Sequence, residues 1–329
     1  MTAPAQLEFR RAAPSDRAAI LHLGTRTLGW LGDAEDDAFF AWKHEQNPFG
    51  QSPMWVACDG PRVVGFRTFM RWEFVEHGDR VVRAVRAVDT ATDPEYQGRG
   101  IFTSLTLTAL DELRDEGVDT VFNTPNDQSL PGYLKMGWRV VGRLPVSIMP
   151  TRLRSFATLA RARVPASLSS VLVNAGVAPS TAFADADALT QLLSSVQLGP
   201  DLTTRRTPAF FVWRYGLPSL HYRVLLAGDS VDDGCLVFRL RRRGAAVEAV
   251  IGDVLTPADH PERARSLART TAATAGADYL LRIDGRALTG DPFLRVPRVG
   301  PVLACRPLSD WSPPPLSRWN VQMGDIELF

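Results

Sequence analysis

The sequence predicts a mixed α/β protein, α+β with a mixed sheet, whose fold is repeated along the chain with the second copy degenerate. Three observations predict it. Residues 54–58, 63–75 and 81–91 are alternating apolar runs separated by Asp59-Gly60-Pro61 and Gly78-Asp79, the pattern of an antiparallel meander. The third run leads through a glycine-rich turn into a helical pattern and then another strand, which sets up a parallel pair. Finally, Ala209-Phe210-Phe211-Val212-Trp213-Arg214 echoes Ala38-Phe39-Phe40-Ala41-Trp42-Lys43, and the same order of elements follows each.

In order along the chain, residues 7–10 form a short first strand, and Pro14-Ser15-Asp16 before an apolar run to Leu23 supplies a capped helix start. A second helix is predicted over 35–46, thick with Phe39, Phe40 and Trp42 and stopped by Asn47-Pro48. After the meander comes Thr92-Asp93-Pro94-Glu95-Tyr96-Gln97-Gly98-Arg99-Gly100-Ile101-Phe102. The helix behind this turn places Phe102, Leu105, Ala109 and Leu113 at spacings of three and four, one stripe to bury against a sheet, and Gly117 stops it. Residues 118–123 read as a strand parallel to the loop-bearing one, so a ligand would enter where the two part.

Two glycines two residues apart let the backbone turn with its N–H groups aimed one way, and the helix start adds the positive end of its dipole. Such a loop suits a phosphate chain. A Gly-x-Gly turn alone specifies little, but a second stretch follows: Asn126-Asp127-Gln128-Ser129-Leu130-Pro131-Gly132-Tyr133-Leu134-Lys135-Met136-Gly137-Trp138, between strand-like runs at 119–123 and 139–144. Together the two stretches resemble the GCN5-related N-acetyltransferase (GNAT) superfamily. Its pyrophosphate loop reads Gln/Arg-x-x-Gly-x-Gly/Ala, and its later helix carries Asn, then Tyr-x-Lys-x-Gly-Phe. Gln97, Gly100, Asn126, Tyr133, Lys135 and Gly137 match, whereas Phe102 and Trp138 depart. The layout is most similar to the tandem-domain members of the enhanced intracellular survival group, and the resemblance covers residues 5–148.

The resemblance implies a tandem GNAT acyl-CoA N-acyltransferase fold, acetyl-CoA as donor substrate, no metal, and transfer of acetyl to a primary amine of a small metabolite such as an aminosugar, a polyamine or an antibiotic. It assigns the strand around Val88, Thr90 and Thr92 to the pantetheine arm, and Gln97, Gly98, Arg99, Gly100, Ile101 and Phe102 to the pyrophosphate. Asn126 and Ser129 fall to the donor as well, and Tyr133 to protonating the coenzyme A thiolate. Read by itself, Tyr133 is also a helix-face core aromatic, and Arg99 a solvated loop cation. For the base, Asp89 is a carboxylate inside a sheet whose pKa burial would raise; it equally fits binding a cationic amine or capping a strand end. Glu73 and Glu76 are less well placed. The terminal carboxylate of Phe329 is a further option, because related tandem enzymes bring their C-terminus into the active site.

A net charge of +1, from 37 basic and 36 acidic side chains, gives no global pull towards nucleic acid or an anionic membrane. The 329 residues, 45% of them hydrophobic, suit two domains. These are a catalytic domain at 1–150, a connection at 151–181 with a basic helix over 152–163, a degenerate copy at 182–308 and a docking tail at 309–329. Cys58, Cys235 and Cys305 are odd in number and lie in apolar runs, so reduced thiols in a cytoplasm are expected. The five histidines form no cluster with them, which predicts no structural zinc. No leader pattern and no membrane-length apolar window occur, so a soluble, unexported chain is expected, as monomer or homodimer.

In the second half, the counterpart of the glycine loop reads Gly252-Asp253-Val254-Leu255-Thr256-Pro257-Ala258-Asp259-His260-Pro261-Glu262-Arg263 and has no glycine pair before its helix. This predicts a copy without an anion cradle that supports the first domain or shapes its groove. The tail holds Trp311 and Pro313-Pro314-Pro315, then an apolar end suited to docking. Two alternatives to N-acetyl transfer stand at this point. One is a Fem-type aminoacyl-tRNA-dependent ligase, a tandem fold that generally lacks an intact pyrophosphate loop; the other is an acyl-CoA-binding protein without turnover.

Overall fold

The computed structural model describes residues 7–152, 155, 164–196, 201–283 and 292–327. The basic helix expected over 152–163, apart from Arg152 and Ser155, and the Phe329 carboxylate fall outside the described residues. The chain divides into two compact units, each discontinuous in sequence. The first comprises Met1–Phe74, Val81–Gly142 and Val302–Pro313, and the second Val75–Arg80, Arg143–Pro301 and Pro314–Phe329.

The first unit is built on β1 (Glu8–Arg11), β2 (Met54–Asp59), β3 (Arg62–Glu76), β4 (Arg80–Thr92), β5 (Thr120–Asn123), β6 (Arg139–Arg143) and β15 (Val302–Pro307), in sheet order β1-β2-β3-β4-β5-β15-β6. Its helices are α1 (Arg17–Thr27), α2 (Ala34–Phe40), α3 (Ile101–Asp115) and α4 (Leu130–Lys135). The Asp33 side chain caps α2 by accepting from the Glu35 and Asp36 N–H groups. Gly117, at φ +77°, ends the helical stretch after α3 in the left-handed conformation that glycine adopts without strain. Of the stripe read from the sequence, Leu105, Ala109 and Leu113 are buried with Trp55, Val85 and Val121 of the sheet, whereas at its N-terminal end Ile101 takes the buried place and Phe102 is only partly buried against the cluster. Full burial of each leucine there contributes roughly 1.5–3 kcal/mol. A separate cluster joins Ile20 and Leu23 of α1 and Phe40 of α2 to Val56 and Phe66.

The second unit contains β7 (Val146–Pro150), β8 (Ser170–Val171), β9 (Leu202–Thr204), β10 (Arg223–Leu226), β11 (Cys235–Arg243), β12 (Ala246–Leu255), β13 (Tyr279–Ile283), β14 (Leu294–Val296) and β16 (Trp319–Asn320). Its main sheet runs β10-β11-β12-β13-β7-β14, with β8 on β11, while β16 lies parallel to β9. The helices are α5 (Pro179–Ala182), α6 (Ala186–Ser195), α7 (Pro208–Gly216), α8 (Glu262–Thr274) and α9 (Met323–Ile326). The end of the chain is held inside this unit by buried arginines: Arg214 Nε donates to the Gly324 carbonyl at 2.6 Å and Arg239 pairs with Glu327 at 2.6 Å.

Each main sheet contains a parallel pair, β4–β5 in the first and β12–β13 in the second, and an antiparallel strand is seated beside the second member of each. In the first unit that strand is β15, with Ala304 opposite Asn123; in the second it is β7, with Leu281 opposite Ile148. Segments drawn from sequence as 1–150 and 182–308 therefore do not coincide with the compact units. The alternation of a strand marks which face it buries, not which sheet it joins.

Candidate active site

The register of β4 and β5 runs only from Ala84–Thr120 to Arg86–Phe122, and beyond it β4 continues towards the glycine turn with β3 on one side and without β5 on the other. The turn is pinned by Asp93, which is fully buried, accepts from the Glu95 N–H at 3.1 Å, and pairs with Arg26 at 3.0 Å and Arg62 at 2.7 Å. Burial pushes its carboxyl up, but these partners overcome that and hold it below its ordinary value. Tyr96 donates to Asp59 at 2.6 Å, and the Arg62 and Arg99 guanidinium groups stand 5.4 and 4.7 Å from its ring centre.

Gly98 and Gly100 sit at φ +74° and +76°, and a Cβ on either would meet no atom within 4 Å. These glycines are there for backbone conformation, not for room. Gly100 is also the cap residue of the 15-residue α3 and brings no side chain to its open N–H groups, so the helix start is free to meet an anion. At Gly65 a Cβ would lie 2.7 Å from Ile101 Cγ2, so this glycine lets α3 begin close to β3. The turn borders a cleft of about 340 Å³ lined by Thr90, Ala91, Thr92, Tyr96, Gln97, Gly98, Gly100, Ile101 and Phe102.

Phe102, which departs from the small residue usual in such loops, turns its ring inward against Tyr133, with centres 5.6 Å apart. Tyr133 is buried and also packs on Trp138 at 5.0 Å. Its hydroxyl oxygen accepts a 2.6 Å hydrogen bond from Nη2 of Arg67, a β3 residue that is only 1% exposed. Sequence inspection misses Arg67, because an arginine in an alternating strand reads as part of the solvent face.

Asp89 stands differently from expectation. Its carboxylate accepts from Lys43 Nζ at 2.8–2.9 Å and from His44 Nε2 at 2.8 Å. Burial pushes the Asp89 carboxyl up, but the Lys43 charge and the His44 hydrogen bond outweigh it and hold the group well below the ordinary carboxylate range. The expected raised pKa is therefore corrected: Asp89 is an ionised anchor with two partners. Lys43 and His44 lie in Ala41–Glu45, a wide π turn closed by the Gln46 N–H donating to the Ala41 carbonyl, which lets consecutive side chains converge on one carboxylate. Burial lowers the His44 pKa and keeps the ring neutral. Because an ionised carboxylate only accepts, Nε2 carries the proton and Nδ1 accepts from Ser52 Oγ at 3.1 Å.

Of the other sequence-chosen residues, Arg99 lies over Tyr96 beside the cleft, and Val88 is buried on β4 with its carbonyl 3.5 Å from Arg67 Nη1. Asn126 and Ser129 do not line the cleft. The Asn126 side-chain oxygen accepts from the Ser129 N–H at 2.9 Å, which shapes the turn into α4. Glu76 approaches Arg80 and Arg318 at 3.9 and 4.0 Å, and Glu73 is half-buried on β3. Among the described residues, no group of His, Cys, Asp and Glu is placed to hold a metal ion, and no helix is long and apolar enough to cross a membrane.

Residues 8–141 match the model of the acetyltransferase (GNAT) domain. No curated protein matches the chain. Among solved structures, the chain is similar to a probable N-acyltransferase from Enterococcus faecalis, with a TM-score of 0.65 at 13% identity over 92% of this chain and 73% of that one. A GCN5-related N-acetyltransferase from Anabaena variabilis gives 0.61 at 16% identity, over 92% and 73%. Eis1 from Mycobacterium abscessus gives 0.58 at 15% identity, over 92% and 74%. The chain thus has the fold of the GCN5-related N-acetyltransferases, as two such sheets in tandem, and residues 8–141 are the stretch whose sequence matches the acetyltransferase domain.

Proposed function

We propose that the first unit binds acetyl-CoA and transfers its acetyl group to a primary amine of a small molecule. The observation that carries this is the left-handed Gly98–Gly100 turn, which leaves the start of α3 uncapped beside a cleft whose wall, Phe102, packs on Tyr133. Buried polar atoms without a hydrogen-bond partner, Arg67 Nε and Thr68 Oγ1 on β3 and Asn123 Oδ1 on β5, lie on the strands that flank β4 and fit a donor with amide and thioester groups.

The backbone from Gln97 to Phe102 takes the pyrophosphate, with Arg99 adding charge, and Val88, Thr90 and Thr92 flank the pantetheine arm. The Asn126 amide nitrogen donates to that arm, and Ser129 holds the Asn126 turn. The amine lone pair forms the C–N bond as the C–S bond breaks, with its electrons leaving on sulfur. Tyr133 gives its proton to that sulfur, and the amine loses one to water. Asp89 has too low a pKa to serve as a strong base; it fixes Lys43 and His44 beside β4. The second unit, whose counterpart turn lacks a glycine pair, serves as a supporting copy without a donor site.

The test is thiol release from acetyl-CoA over a panel of primary amines, with the acetylated product identified by mass. Tyr133→Phe should retain donor affinity within about twofold and lose roughly 10²-fold or more in kcat. An unchanged kcat removes Tyr133 from the chemistry, and donor binding without any acetylated product favours a binding protein.

A further inference from the structure

Arg67 makes no ion pair among the described residues although its side chain is almost fully enclosed. An uncompensated buried charge opposes folding, and an apolar side chain of similar volume would fill the same space without that penalty. The rings of Phe69, Phe102 and Tyr133, with centres 4.9, 5.2 and 5.4 Å from the guanidinium carbon, offset part of it. What an apolar residue would lack is the 2.6 Å hydrogen bond from Nη2 to the Tyr133 hydroxyl.

A guanidinium only donates, so the phenol oxygen is the acceptor in this bond and its own proton is turned away from Arg67. Among the described residues the Tyr133 hydroxyl proton meets no acceptor. The other arm of the guanidinium faces the Val88 carbonyl on β4, so a single side chain ties the phenol to the strand assigned to the donor.

Resting on the acyl-transfer reading, the geometry points to Arg67 as the positioning residue of Tyr133: it turns the phenol proton towards the departing sulfur and sets a positive charge opposite the phenolate left behind. In that step the C–S electron pair goes to sulfur, the Tyr133 O–H bond breaks with its electrons kept on oxygen, and an S–H bond forms. Solvent then returns a proton to Tyr133. A purely structural Arg67 would show no dependence on the sulfur.

The test titrates the full chain calorimetrically with coenzyme A and with desulfo-coenzyme A at about pH 8.5, where a fraction of the free thiol is ionised. Wild type should prefer coenzyme A by about tenfold, through a charge-assisted contact to the sulfur. Arg67→Met should cut that preference below about threefold while leaving desulfo-coenzyme A affinity within about twofold. Arg67→Lys, which keeps the charge, should retain part of the preference and decides the question by the same ratio if the methionine variant does not fold. In thiol-release assays, Arg67→Met should lower kcat about 10²-fold at unchanged KM, yet by less than about twofold when added to Tyr133→Phe. A methionine variant that keeps the sulfur preference, a lysine variant that keeps all of it, a variant that loses both ligands equally, or one that costs the same factor with and without Tyr133 overturns the role of Arg67 and leaves acyl transfer standing. A wild type that binds neither ligand overturns both.

Discussion

Replacing Asp89 by asparagine keeps the shape of the side chain and removes its charge. The Lys43 side chain is 4% exposed, that of His44 1% and that of Asp89 16%, so the ammonium has almost no water to turn to once its partner is gone. Removing one member of a buried pair costs about 3–5 kcal/mol, and the hydrogen bond that the amide oxygen still accepts returns about 1 kcal/mol. Asp89→Asn should therefore lose roughly 2–4 kcal/mol of unfolding free energy at neutral pH. Adding Lys43→Met removes the stranded charge, so the double variant should recover about half of that loss or more. The sign with pH follows from the lowered carboxyl: its contribution is present above the unfolded value of about 4 and is lost as pH falls through the folded value, so the variant lacks that acid limb. Urea unfolding of the full chain, fitted as two transitions for the two units, measures all of this. A loss below about 0.5 kcal/mol, or a double variant no better than the single one, refutes the buried-anchor assignment.

Three other outcomes follow from the same geometry. His44 is held neutral by burial while the unfolded imidazole takes a proton below about pH 6.5, so stability should fall by up to about 1.4 kcal/mol per pH unit on acidification below that point. His44→Gln should flatten that limb, and an unaltered slope in denaturant titrations counts against it. Gly100→Ala places a Cβ at φ +76° and should cost about 1–2 kcal/mol of backbone strain and at least about tenfold in donor affinity. Gly60→Ala, at φ +56° in the β2–β3 turn, should cost similar stability and leave affinity unchanged; equal affinity losses would mean the glycine loop is not the anion site. A fragment ending at residue 150 lacks β15, which pairs along the whole of the buried β5, and should show no cooperative unfolding, so a soluble, cooperatively unfolding fragment contradicts the strand assignment.

The sequence was most legible where the information is local. The meander, the stripe of α3, the positive-φ glycines and the turn into α4 are each set by residues within a few positions of one another, and the structure places them close to the ranges read from spacing. Strand partnership was not local: Val302–Pro307 reads as a strand from its own residues, yet nothing in those residues says that Thr120–Asn123 lies beside them. Asp89 failed for a related reason. Burial alone would raise its pKa, and the partners that reverse the sign lie 46 and 45 residues earlier in the chain. Arg67 was invisible because alternation marks a charged strand residue as solvated, whereas here aromatic rings enclose it.

Calorimetric titration of the full chain with acetyl-CoA, coenzyme A and a longer acyl-CoA puts the donor site to the most direct trial. Binding of at least one of them with a Kd of about 1–100 μM, weakened about tenfold or more in Gly100→Ala, is the expected result. No heat with any of the three, from protein that unfolds cooperatively, would contradict the acyl-CoA site.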